Sequence, residues 1–215
     1  MPPSNTPNNR HNVAHHLAGR HLPSVIVFMA ITATILTADL TVKSLAFRYI
    51  PSQPVKLTRH NSADHSIIPD HAPVTLVPKV LAIKLTTNTG AIFGLGKGSQ
   101  WLFIVISIVA TIVLLNIFYR SRPGDFSIHT TVALILAGAL GNLHDRILFN
   151  AVRDMFWLFP GIKLPFGWSW PGDSHELYPW IFNIADATLI IGVFSLVVIL
   201  WQHDKQSQTA QSAHD

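Results

Sequence analysis

WLFIVISIVATIVLLNIFY, residues 101–119, runs for nineteen residues without a charge. The hydrocarbon core of a bilayer is about 30 Å thick and takes about 20 helical residues to cross, so this stretch reads as a membrane span. Three more segments have the same character. Trp180 to Gln202 is interrupted only by Asp186, and His129 to about Leu143 is apolar and closes on Asn142, Asp145 and Arg146. Ser24 to Ala38 is apolar and continues as DLTVKSLAF, with Asp39 and Lys43 one turn apart. Composition agrees: 49% of the residues are hydrophobic and only 12% are charged, an unusual balance for a soluble chain of 215 residues. The expected fold is an α-helical polytopic membrane protein with spans at about 24–47, 101–119, 129–149 and 180–202. These lie in one domain (23–202) between polar cytoplasmic tails at 1–22 and 203–215.

Ser24 to Ala38 follows Arg10 and Arg20, as the apolar part of a cleaved signal peptide would. It has no clear small-x-small cleavage site and its polar lead is long for such a peptide, so it is read as a membrane helix. Orientation comes from the short turn YRSRPGDFS (119–127), whose Arg120 and Arg122 place it on the cytoplasmic side. Four spans then leave both termini in the cytoplasm. The basic residues between Lys43 and Lys97 run against this assignment, but loops of that length translocate largely regardless of charge. The net charge of +4 is taken to face anionic membrane lipids, since no basic stripe with interleaved aromatics suggests nucleic acid.

The two long connections then lie outside the cytoplasm. The first ends in VTLVPKVLAIKLTTNTGAIFGLG (74–96), which alternates in the manner of strands and is expected to form a small sheet on the membrane surface. The second, WLFPGIKLPFGWSWPGDSHELYPW (157–180), is rich in Trp, Pro and Gly, and suits either an interfacial anchor or a lid over a polar site.

Polar residues within the spans need their own account, because a carboxylate at the centre of a transmembrane helix costs roughly 2.5–3.5 kcal/mol on insertion scales. Asp39 and Lys43 are four residues apart and read as an ion pair on one helix face. Asn88 and Gly90 suit a turn. Asn142, Asp145 and Arg146 share a helix face, and Asp145 is expected to be neutralised by Arg146. Asp154, past the end of the third span, and Asp186, one turn after Asn183, have no obvious cation in their own segments. Two such carboxylates close together would share one proton, one serving as base toward water while the other polarises a carbonyl. With no cysteine, no HExxH and no nucleophile-elbow serine, the standard nucleophile and metal routes are thin, and such a pair would support peptide hydrolysis of the aspartic type. The rival reading is a small ion or proton conduit, but a conduit needs polar residues through the whole membrane depth.

In four ordered blocks the chain resembles the lipoprotein signal peptidases (signal peptidase II, aspartic peptidase family A8). The blocks are D-x-x-x-K at 39–43, NTGAIFG at 88–94, GNLHDR at 141–146 with VRDMF at 152–156, and FNIADATLIIG at 182–192. The resemblance implies a four-helix protein of the bacterial cell (inner or plasma) membrane, with a small extracytoplasmic sheet and a loop over the site. It implies removal of signal peptides from diacylglyceryl-modified prolipoproteins, cut before the lipidated cysteine. By position, Asp154 and Asp186 match the catalytic aspartates, and Asp39, Lys43, Asn88, Gly90, Asn142, Asp145, Arg146, Asn183 and Ala185 match residues that support or line the site. The chain departs from the family pattern at Arg153, where an aliphatic residue is more usual, at His144, and in longer loops.

No cofactor or metal is expected. The twelve histidines include His60, His65 and His71 in the first loop and His11, His15, His16 and His21 in the N-terminal tail, without the spacing of a closed zinc site. His129 and His144 lack a matching pair on a second helix that would suit haem. A monomer is expected.

Overall fold

A computed structural model of the chain describes residues 17–90 and 100–212. The element order is α1 (Leu22–Tyr49), β1 (Val74–Val77), β2 (Leu81–Asn88), α2 (Gln100–Arg120), α3 (Phe126–Phe149), β3 (Val152–Leu158), β4 (Ile181–Phe182) and α4 (Ile184–Ser212). All four helices are long and apolar enough to cross a membrane. The chain is a multi-pass membrane protein. Of the expected residues, Ala91 to Gly94 of the NTGAIFG block and His11, His15 and His16 lie outside those described.

α3 is the central helix. α1, α2 and α4 all pack on it, and its side chains from His129 to Asp145 are mostly buried. Its small residues explain the choice: a side chain at Gly138 would put its Cβ 2.4 Å from the Ala185 carbonyl oxygen, and one at Gly141 would fall 2.5 Å from Asp39 Oδ2. Between apolar helices in lipid, such small residues replace the hydrophobic drive with close packing. On the outer helices Leu22, Ile26, Trp101, Ile112, Phe194 and Leu200 are among the many exposed apolar side chains. In water they would be a liability; toward lipid tails they are at home.

The helices start and stop on local signals. Pro23 lies in the first turn of α1, where a missing N–H costs nothing, and the His21 side chain accepts from the Ser24 backbone N–H at 3.4 Å. α3 ends on Asn150 in the left-handed region (φ 59°), whose N–H returns to the Arg146 carbonyl. That reversal throws the chain straight into β3.

The sheet is antiparallel with order β1-β2-β3-β4. The alternation in 74–88 does fold as a hairpin, turning through Lys79 at φ 59° with the Val80 N–H on the Val77 carbonyl. Two strands were not legible: VRDMFWL and the short Ile181–Phe182, which pair Phe156 with Phe182. The last helix therefore begins at Ile184, four residues later than hydropathy suggests, because Ile181 and Phe182 give their apolar side chains to a sheet. α1 and α3 each extend the expected spans by two or three residues.

Residues 159–180 form an irregular hairpin, with the Leu164 N–H on the His175 carbonyl and the Leu177 N–H on that of Ile162. Phe166 takes a left-handed φ of 58° in its first arm and is 89% exposed, and the arms pair again at Trp170 and Ser174.

Candidate active site

β3 separates two neighbouring charges by the period-2 rule of strands. Arg153 and Met155 point toward α1 and α3, where Met155 packs with Ala46, Phe47 and Leu85. Asp154 points the other way, into a cavity of about 830 Å³. That cavity is also lined by Asn88, Asn142, Arg146 and Asp186, with Tyr178 and Trp180 of the hairpin and His65 of the first loop among the residues around it. Asp154 stands opposite Thr86 in the sheet, just past a bulge between Ile83 and Thr86.

Two carboxylates meet here through a pair of asparagines. Asn142 Nδ2 donates to Asp186 Oδ1 at 2.7 Å, and Asn183 Nδ2 donates to Asp154 Oδ1 at 2.6 Å. The asparagines also touch one another, Asn183 Nδ2 to Asn142 Oδ1 at 3.2 Å. Asp186 lies in the first turn of α4, where Asn183 Oδ1 accepts from the Asp186 N–H and the Asn183 N–H reaches Asp186 Oδ2. This reciprocal arrangement is a capping pattern, and unpaired N–H groups at a helix start favour a negative charge. Burial holds the Asp154 carboxyl well above the usual carboxylate range, and the nearby Asp186 pushes it further; hydrogen bonds from Asn183 and Asn88 pull the other way.

Behind the asparagines lies a row of alternating charges. Lys43 Nζ is 2.7 Å from Asp39 Oδ2, 3.2 Å from Asn142 Oδ1 and 3.6 Å from Asp145 Oδ2. Asp39 Oδ1 accepts the Ala185 N–H at 2.9 Å, which ties α1 to the start of α4. Lysine carries donors only, so its contact fixes which end of the Asn142 amide is oxygen and leaves the NH₂ end for Asp186. The i, i+4 pair of Asp39 and Lys43 is therefore real, and it is connected to the site.

The expected pairing of Asp145 with Arg146 is not found. Adjacent residues on a helix point about 100° apart and do not face one another. Asp145 is held instead by Arg153, with Nη2–Oδ1 at 2.8 Å and Nε–Oδ2 at 3.2 Å, and by the Arg153 backbone N–H at 3.1 Å. Arg146 turns to the cavity, where its guanidinium lies 5.1 Å over the Phe103 ring and Nη1 donates to the Asn142 carbonyl at 3.4 Å. Among the described residues no carboxylate lies within ion-pair distance of Arg146, and its Nε is buried without a partner. Arg146→Ala is accordingly expected to lower cleavage by about a hundredfold, the scale of losing one preorganised donor. Thermal unfolding in detergent should stay close to wild type, and a large loss of melting temperature would restore the pairing with Asp145.

Asn88 and Gly90 form the expected turn, the Gly90 N–H on Asn88 Oδ1 at 3.0 Å. Gln100 was missed. It is buried at the first position of α2 and its Nε2 donates to the Thr89 carbonyl, fastening this turn to the helix. An amide opening an apolar span was the available signal. Two of the histidine candidates have protein partners: His129 Nε2 meets Ser121 Oγ at 3.0 Å and His71 bridges Pro69 and Leu85.

Four membrane-length helices, with a carboxylate pair, Asp154 buried and Asp186 half-buried, where a small sheet meets the bundle, define a polytopic membrane protein built around a polar site. Residues 31–202 match the family model described as signal peptidase (SPase) II, and the chain belongs to that family of membrane peptidases. It is 36% identical over 132 residues to the lipoprotein signal peptidase of Halothermothrix orenii, an alignment spanning 61% of this chain and 78% of that one. With the lipoprotein signal peptidase of Anoxybacillus flavithermus it shares 33% over 146 residues, 66% of this chain and 79% of the relative. A bacterial membrane enzyme solved by the in meso method at 2.3 Å has the same fold, with a TM-score of 0.63 and 24% identity over 85% of this chain and 92% of the other.

Proposed function

We propose that this membrane peptidase, which removes signal peptides from prolipoproteins, is of the aspartic type and uses Asp154 and Asp186 as its catalytic pair. The observation that carries the reading is the asparagine bridge: the Asn183 and Asn142 amides each hold one oxygen, of Asp154 and of Asp186 respectively, so that both carboxyls line one cavity. With one proton on the pair, the ionised member takes a proton from water while the protonated member donates to the scissile carbonyl. Water attacks the carbonyl carbon to give a gem-diol; as its C–N bond breaks, the amine leaves with the proton from the pair and one hydroxyl returns its proton to the pair, which ends as it began. Asn88, Asn142 and Asn183 orient the carboxyls, Asp39, Lys43 and Asp145 hold the asparagines from behind, and Gly90 and Ala185 supply the backbone. Arg146, unpaired and facing the cavity, steadies the substrate's carbonyl groups.

Substrates on this reading are diacylglyceryl-modified, with cleavage just before the lipidated cysteine. The cavity suits such a group, since Phe103 and Ile106 of α2 and Leu189 and Ile190 of α4 give it an apolar wall beside the carboxylates. With the basic turn between α2 and α3 read as cytoplasmic from Arg120 and Arg122, both termini lie inside and the sheet outside. The domain occupies 23–202 with polar tails on either side, works as a monomer and contacts anionic lipids. A conduit is less well supported, because the carboxylates gather at one end of the bundle.

The pH dependence follows from the shared proton. Activity should rise from low pH as the pair loses its first proton and fall at high pH as it loses the second. The raised position of Asp154 carries the alkaline limb well above the range of an isolated aspartate. Folding is linked in the same sense: the folded state holds that proton more tightly than the unfolded chain, so stability declines as pH climbs through the folded value. A kcat/KM profile flat from acid to alkaline pH would contradict this.

The reading is tested by gel mobility of a prolipoprotein incubated with the purified protein, with and without prior diacylglyceryl transfer to its cysteine. Loss of the signal peptide from the lipidated form alone is expected. Equal cleavage of both forms would remove the lipid from the specificity, and no cleavage by folded protein would overturn the assignment.

A further inference from the structure

Arg153 lies on the far side of β3 from the cavity, yet it closes the row of charges that ends at Asp186. Asp145 is fully buried, and Arg153 supplies three N–H donors to it at 2.8, 3.1 and 3.2 Å. The guanidinium is itself buried, stacked 4.8 Å over the Phe149 ring with Nη1 3.5 Å from Ser44 Oγ. Its place is therefore built, not incidental.

The consequence falls on Lys43. Three acceptors surround its ammonium, and the two short contacts go to Asp39 and Asn142 while Asp145 stays at 3.6 Å. A buried carboxylate with no other cation would draw the ammonium to itself, because Coulomb attraction rises steeply as water is excluded. With both its oxygens taken up by Arg153, Asp145 leaves Lys43 to hold Asn142 Oδ1. That contact in turn orients Asn142 Nδ2 onto Asp186.

We propose that Arg153 is a positioning residue for the reaction, acting through Asp145, Lys43 and Asn142 to set the orientation and proton affinity of the Asp154–Asp186 pair. This rests on the assignment of that pair as catalytic. Among the described residues, the charged and titratable groups that face the relay and the pair are Asp39 and Lys43 on α1, His144, Asp145 and Arg146 on α3, Asp154 on β3, Asp186 on α4, and Tyr178 of the hairpin and His65 of the first loop at the cavity. His144 Nδ1 lies 3.3 Å from Asp145 Oδ1 but is itself half-exposed, so it does not replace the guanidinium. Removing the Arg153 cation makes the surroundings of the pair more negative and frees Lys43 to move toward Asp145. Both changes bind the shared proton more tightly.

The test is the pH profile of kcat and kcat/KM for full-length wild type, Arg153→Met and Arg153→Lys on a lipidated prolipoprotein in detergent. For Arg153→Met both limbs should move to higher pH by about half a unit or more, with kcat down about tenfold and KM little changed. Arg153→Lys should return the limbs toward wild type, because it keeps the charge. A purely structural role would lower the active fraction and leave the limbs in place. If the methionine variant does not fold, Arg153→Gln, which still donates a hydrogen bond to Asp145, should show the same shift. Unmoved limbs in a folded Met or Gln variant would overturn the proposal. Activity retained by Asp154→Asn, run in parallel, would instead remove the underlying assignment.

Discussion

Asp154→Asn and Asp186→Asn should each reduce kcat by about a thousandfold or more, within the range that a positioned acid or base contributes. Either change removes the shared proton's second site, so neither member can act as base while the other donates. Asparagine keeps the shape and one oxygen of the carboxyl, and the hydrogen bonds from Asn183 and Asn142 can persist. Stability should hold or rise, because one of two neighbouring carboxylates, Asp154 buried and Asp186 half-buried, is neutralised. Melting temperature in detergent, measured with the cleavage rate, checks both halves. Loss of activity accompanied by unfolding would mean the aspartates hold the fold and not the chemistry.

Lys43→Met should be the most destabilising of the site substitutions, at about 3–5 kcal/mol, the range for breaking a buried ion pair by removing one partner. Asp39 is 1% exposed and would lose its cation altogether; Asp145 would keep Arg153 and the His144 contact. Because Asp39 also accepts the Ala185 N–H, the damage reaches the junction of α1 with α4. Activity should fall with it, as Asn142 loses the contact that fixes its amide. A Lys43→Met protein that melts like wild type would show the ammonium to be dispensable to the row of charges.

Much of this was legible from sequence for identifiable reasons. Spans follow from hydropathy because lipid demands long apolar helices, and Asp39 with Lys43 follows from helical spacing. The site's far side was not legible. Asp145 takes its partner from a strand of seven residues whose pattern, buried on both faces at Val152 to Met155, does not alternate in polarity. Without that strand, Arg146 is the nearest cation to Asp145 in sequence, and it stands in for the true partner, Arg153. The same gap hid the meaning of Arg153, which reads as a charge beside Asp154 until the pleat sends the two to opposite faces. The start of α4 was misjudged for a related reason: hydropathy counts Ile181 and Phe182 as apolar whether they face lipid or pair with Phe156 and Trp157.

The central claim is that Asp154 and Asp186 make and break bonds, and are not merely part of the site's frame. It is tested most directly by single turnover, mixing a lipidated prolipoprotein with a slight excess of wild type, Asp154→Asn or Asp186→Asn and following intact masses over hours. The account predicts full conversion by wild type, and by each variant an uncleaved precursor that still co-elutes with the folded protein. One equivalent of cleaved product from either variant would contradict it.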